Sequence, residues 1–140
     1  MTTTITHVLG AASFPAFDEN VRDIRNWVES ALLGYPEGLI DDAVLCTSEL
    51  AANSVRHSRS GRRPVDTIQV VLLPAEDGAV RVEVTDAGSR RGRPHRRSAG
   101  PDGEGGRGLE LVAAFSNDHW GVDIDRATRR CTVHFVIASP

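Results

Sequence analysis

From about Leu39 to Arg56, the residues Ala43, Val44, Thr47, Leu50, Ala51 and Val55 recur at three- and four-residue steps, a spacing that predicts a helix with a core-facing stripe. Glu49, Asn53 and His57 stand four residues apart, so they line an adjoining stripe with a carboxylate, an amide and an imidazole about one helical turn apart. Three polar heads then share one edge of a buried face. An amide oxygen is a hard, neutral ligand suited to Mg²⁺, an ion that usually keeps several waters and completes its shell with phosphate oxygens. A carboxylate one turn away is placed to orient a hydroxyl or water for attack on a phosphate. An ordinary amphipathic helix with a solvated polar side has the same pattern, so this stretch alone leaves both readings open.

With 140 residues the chain suits one domain, residues 1–140, large enough to bury roughly two thirds of its unfolded surface. Its 40% apolar and 25% charged content is ordinary for a soluble globular protein, and no apolar run approaches the roughly 18 residues that span a bilayer. The start, Met1-Thr2-Thr3-Thr4, lacks the basic and apolar parts of a signal peptide, so the expected location is the cytoplasm and no membrane contact is expected. Cys46 and Cys131 are far apart and lack zinc-like spacing, which points to reduced, buried thiols.

A net charge of −3 argues against direct nucleic-acid binding, although all 16 basic residues are arginine and they are unevenly spread. Arg90, Arg91, Arg93, Arg96 and Arg97 crowd one segment with His95, Gly92 and Pro94, where a regular element is not expected. Such a loop is either a solvated charge run or a lid over an anionic ligand such as a triphosphate.

In chain order, residues from about Thr3 to Ala12 predict a first strand, interrupted at Gly10. A helix follows from about Asp18 to Leu33, carried by Val21, Ile24, Val28, Ala31 and Leu32, with Asp18 as the expected N-cap and Gly34 as the stop. Beyond the long helix, Ile68 to Leu73 and Val80 to Thr85 predict a hairpin around Glu76-Asp77-Gly78. Val80, Val82 and Val84 alternate with polar residues, so if the strand continues, Asp86 falls on the buried face, where a carboxylate needs a hydrogen-bond donor such as the amino group of a purine. If the strand ends at Thr85, Asp86 simply organises the turn at Ala87-Gly88.

Gly100 to Gly108 then forms a glycine-rich stretch, and Leu109, Leu111, Val112, Ala114 and Phe115 predict a short helix opening from it. A glycine loop leading into a helix N-terminus is a natural anion site, although flexible linkers are equally glycine-rich. No Gly-Lys-Ser/Thr follows and no strand directly precedes it, so it is neither a Walker loop nor a dinucleotide fingerprint. Trp120 to Ile124 and Cys131 to Ile137 predict a closing hairpin around Asp125-Arg126-Ala127. The order α-α-β-β-α-β-β predicts an α+β, two-layer sandwich with helices packed on one face of a mostly antiparallel sheet.

Glu-x-x-x-Asn on a helix, Asp-x-Gly after a strand and Gly-Gly-Arg-Gly-Leu opening a helix together resemble the Bergerat-fold (GHKL, histidine kinase-like) ATPases, over roughly Val21 to Ile137. The compact length and the wording Ser48-Glu49-Leu50-Ala51-Ala52-Asn53-Ser54-Val55-Arg56-His57 are most similar to the stand-alone anti-sigma factor serine/threonine kinases. The resemblance implies ATP and Mg²⁺ as cofactors, with Glu49 as catalytic base, Asn53 as metal ligand, Asp86 on the adenine amino group and Gly88 supporting the base. It further implies nucleotide contacts from His57, Gly105, Gly106, Arg107, Gly108, Leu109 and Cys131. Partners implied are a sigma factor and an antagonist protein phosphorylated on Ser or Thr, and the protein would form a homodimer. A non-catalytic nucleotide-binding regulator is the alternative. Two departures stand out: Arg90 replaces the last glycine of the usual Asp-x-Gly-x-Gly box, and Cys131 stands where the last strand often carries threonine, a stronger donor.

Overall fold

The computed structural model describes residues 7–57, 66–88 and 107–139, with only the backbone of His57 and Arg107. Strand β1 (Gly10–Pro15) leads into helix α1 (Asp18–Ala31) and the long helix α2 (Glu37–His57). Strands β2 (Thr67–Pro74) and β3 (Val80–Asp86), helix α3 (Arg107–Phe115), and strands β4 (Trp120–Ile124) and β5 (Cys131–Ile137) follow. Five strands form one sheet in the order β1-β2-β3-β5-β4, with every pairing antiparallel. The expected α+β sandwich is therefore the observed one.

The sheet's alternation decides which face meets the helices. Ile68, Val70 and Leu72 of β2, Val80, Val82 and Val84 of β3, and Val133, Phe135 and Ile137 of β5 are buried and share a core with Ile24, Val28, Leu39, Ala43, Leu50 and Ala51 from α1 and α2. Burying such side chains contributes about 1.5–3 kcal/mol each and makes the core the main source of cohesion. On the other face, Thr85 and Thr132 are paired across β3 and β5, their hydroxyl oxygens 2.7 Å apart.

Two local expectations need correction. Gly10 does not interrupt β1 but begins it, paired with Leu72, because the Trp27 ring of α1 lies on it: a Cβ there would stand 3.0 Å from Trp27 Cζ2. The strand runs on through Phe14, whose ring meets Trp27 edge-on at 5.8 Å, and the segment before His7 lies outside the described residues. Asp18 is likewise not the N-cap of α1; Phe17 is, with extended backbone and no side-chain cap. Asp18 and Glu19 instead occupy the first turn, where their carboxylates complement the positive end of the helix dipole.

Candidate functional site

Three elements converge at one end of the sheet: the last turns of α2, the end of β3 and the start of α3. Strand β3 does continue to Asp86, which is half-buried, in phase with Val82 and Val84, and opposite Cys131 in the register with β5. Asp86 also organises the turn that follows, since the Gly88 N–H donates to its Oδ1 at 2.8 Å. The strand therefore does not stop at Thr85, although Asp86 organises the turn at Gly88 as the other reading had it. Its second oxygen, Oδ2, accepts from the Ser54 hydroxyl on α2 at 2.5 Å. A carboxylate has about four acceptor positions, so a residue gripped by two donors keeps lone pairs for a ligand while its plane is fixed.

Gly88 itself has φ +84, and a Cβ on it would lie 2.1 Å from the Arg129 carbonyl oxygen. Only glycine fits between β3 and the β4–β5 turn, a turn held by Asp125, whose Oδ1 accepts from the Ala127 and Thr128 N–H groups. Cys131 is buried beside this junction, directly across from Asp86.

On α2, Glu49 and Asn53 are both half-buried and one turn apart. Helix α3 packs against them at Gly108, where a Cβ would stand 2.4 Å from Asn53 Nδ2 and 3.5 Å from the Glu49 carbonyl oxygen. The amide nitrogen of Asn53 therefore faces the α3 backbone, and its oxygen, Oδ1, accepts a hydrogen bond from the Arg56 guanidinium one turn on. Leu109, next to Gly108, is buried in the core and anchors the start of α3. Glu49 opens onto a groove between α1 and α2 with Arg25, Glu29, Asp41 and Ser48. Its charge reaches inward as well: burial, then Asp42, then Glu49 push the Cys46 thiol up to about 12. Burial and then Asp41 likewise raise the Asp42 carboxyl.

The structure thus brings Glu49, Asn53, Asp86, Gly88, Gly108, Leu109 and Cys131 to one end of the molecule. The His57 and Arg107 backbones end α2 and begin α3, while their side chains lie outside the described part. Gly105 and Gly106, and the arginine segment Arg90 to Arg97, also lie outside the described residues. Sequence reasoning missed the part played by Ser54. Its signal was present, because a small hydroxyl four residues after Leu50 falls on the apolar stripe of α2, where a polar group needs a partner.

The α+β sandwich, with its helices on one face of an antiparallel sheet, has known relatives. The model of the histidine kinase-like ATPase domain matches residues 14–137, and the chain belongs to that family. Among solved structures, part of the chain holding the RsbU and RsbW domains of Rv1364c from Mycobacterium tuberculosis has a similar fold, with a TM-score of 0.64 and 20% identity over 93% of this chain. This chain spans 32% of that one. No curated protein matches the sequence. Among the described residues, no helix is long and apolar enough to cross a membrane.

Proposed function

We propose that this chain, read as one ATPase domain over residues 1–140, binds ATP with Mg²⁺, sequesters a sigma factor in the cytoplasm and phosphorylates an antagonist protein on Ser or Thr. The observation that carries the reading is Asp86, its two oxygens gripped by Ser54 and Gly88 at the end of the central strand, beside the Glu49–Asn53 turn. A carboxylate held this way presents a charged acceptor to the adenine amino group, and the family match supports the nucleotide. The donor set suits Mg²⁺: one neutral amide oxygen on Asn53, with Gly108 giving the amide room to sit. When bound, the ion would neutralise phosphate charge. Asn53 would hold it, Gly108 and the start of α3 would face the phosphates, and Cys131 would line the adenine side with its weak donor. Glu49, open to the α1–α2 groove, would accept the proton of an incoming serine or threonine hydroxyl. The presence of a carboxylate there favours transfer over binding alone, since a regulator without catalysis has no use for a base.

Radiolabelled transfer from ATP to an antagonist protein co-purified from the native host tests this. Glu49→Gln keeps shape and a hydrogen-bonding head but removes the base, so transfer should fall by about 10²- to 10⁴-fold while ATP binding stays nearly intact. If wild type transfers no phosphate to any partner and Glu49→Gln leaves partner binding unaltered, the non-catalytic regulator takes the kinase's place.

A further inference from the structure

Asn53 is held at both ends of its amide. On one side, Nδ2 fills the space left by the missing side chain of Gly108, where a Cβ would stand 2.4 Å away. On the other, Oδ1 accepts from Nη2 of Arg56, three residues along the same helix. A guanidinium has donors only, so the amide atom facing it must be the oxygen. That oxygen is also the only part of the side chain a hard cation can take.

We infer that Arg56 is a built-in competitor of the divalent metal for Asn53 Oδ1, so that metal-nucleotide binding is coupled to release of the Arg56 guanidinium. This rests on the reading of Asn53 as metal ligand. A dication bound about 2.1 Å from that oxygen would lie within about 5 Å of a guanidinium hydrogen-bonded to it, and like charges that close disfavour joint occupancy. Nδ2 occupies the space that the missing Gly108 side chain leaves, so in this arrangement the oxygen is the amide atom turned toward Arg56. Arg56 is exposed at the last turn of α2, and its long side chain reaches Asn53 from the solvent side. In the nucleotide-free protein the arginine keeps the amide oxygen satisfied and correctly aimed; in the loaded protein the metal replaces it. Arg56 is thus a positioning residue that acts through Asn53 and sets how much metal is needed to hold a nucleotide.

The test is titration calorimetry of ADP over a series of Mg²⁺ concentrations and in EDTA, for wild type, Arg56→Ala, Asn53→Ala and the double variant, with helix content checked by circular dichroism. With the competitor gone, the Mg²⁺ concentration at which ADP binding is half-enhanced should fall by about three- to tenfold in Arg56→Ala. In the Asn53→Ala background the same substitution should change it less than about twofold, because the shared oxygen is absent. An unchanged or higher midpoint in Arg56→Ala overturns the inference, as does an equal effect with and without Asn53, which would mark a general charge effect. A loss of metal-free ADP affinity at unchanged midpoint assigns Arg56 to the phosphates and overturns it too. Failure of folded wild type to bind ADP at any Mg²⁺ concentration removes the nucleotide reading itself, a different result from normal binding that Arg56 does not influence.

Discussion

At the scale of single residues, the adenine reading depends on a hydrogen-bonded pair joining two elements. Ser54→Ala removes the donor to Asp86 Oδ2 and leaves Gly88 N–H as the remaining grip seen here. Loss of a hydrogen bond to a charged acceptor costs about 1.5 kcal/mol, so ADP affinity measured by calorimetry should drop about tenfold while the sandwich persists. Asp86→Asn, which replaces the charged acceptor itself, should weaken binding more, about ten- to hundredfold. Equal binding by Ser54→Ala and wild type would leave Ser54 a structural role only. The role of Asp86 was half legible in the sequence, because strand phase is a local property and Val80, Val82 and Val84 state it plainly. Its partner was not, because nothing local says that the last turn of α2 reaches the end of β3.

At the scale of elements, α2 was legible almost to its ends, since Pro36 precedes it and its apolar stripe is long; it extends about a turn further than the stripe alone indicates, from Glu37 to His57. The start of α1 was misread because capping was inferred from residue type, whereas Asp18 contributes through the dipole from inside the first turn. Gly10 was misread because its reason lies in α1: the Trp27 ring needs a bare backbone under it. The junction of α2 and α3 carries the sharpest element-scale prediction. Gly108→Ala gains up to about 1 kcal/mol of helix propensity in α3 but drives a methyl group into the Asn53 amide. Chemical denaturation should show a stability within about 1 kcal/mol of wild type, while Mg²⁺-dependent ADP affinity falls about tenfold, because the clash is with the tip of a movable side chain and not with backbone. Loss of both together would mean that α3 cannot dock without the glycine.

At the scale of the whole molecule, protonation of a single thiol is linked to folding. Cys46 is fully buried between α2 and α3, near the Leu111 carbonyl, and its pKa rises from the ordinary value of 9.0 to about 12. A raised pKa means the folded state holds the proton more tightly, so this contribution to stability is complete below pH 9 and is lost as pH climbs toward 12. Relative to Cys46→Ala, wild type should lose up to about 1.4 kcal/mol per pH unit above that point, read from urea midpoints at a series of alkaline pH values. A parallel decline in both proteins would show that other groups govern alkaline unfolding. The strand order β1-β2-β3-β5-β4 has one more consequence, in the direction of protein synthesis. Strand β3 lies at the centre of the sheet, yet the neighbour that closes it, β5, follows every other described strand in chain order, and Cys131 meets Asp86 only once β5 is in place. Until that moment a nascent chain shows an open valine-rich edge, a template for pairing with other chains, and Asp86 lacks its cross-strand neighbour Cys131. Translation that stalls after α3 therefore yields a product prone to aggregate, whose proposed nucleotide site lacks Cys131, so the chain completes that site and covers its hazardous edge in the same step.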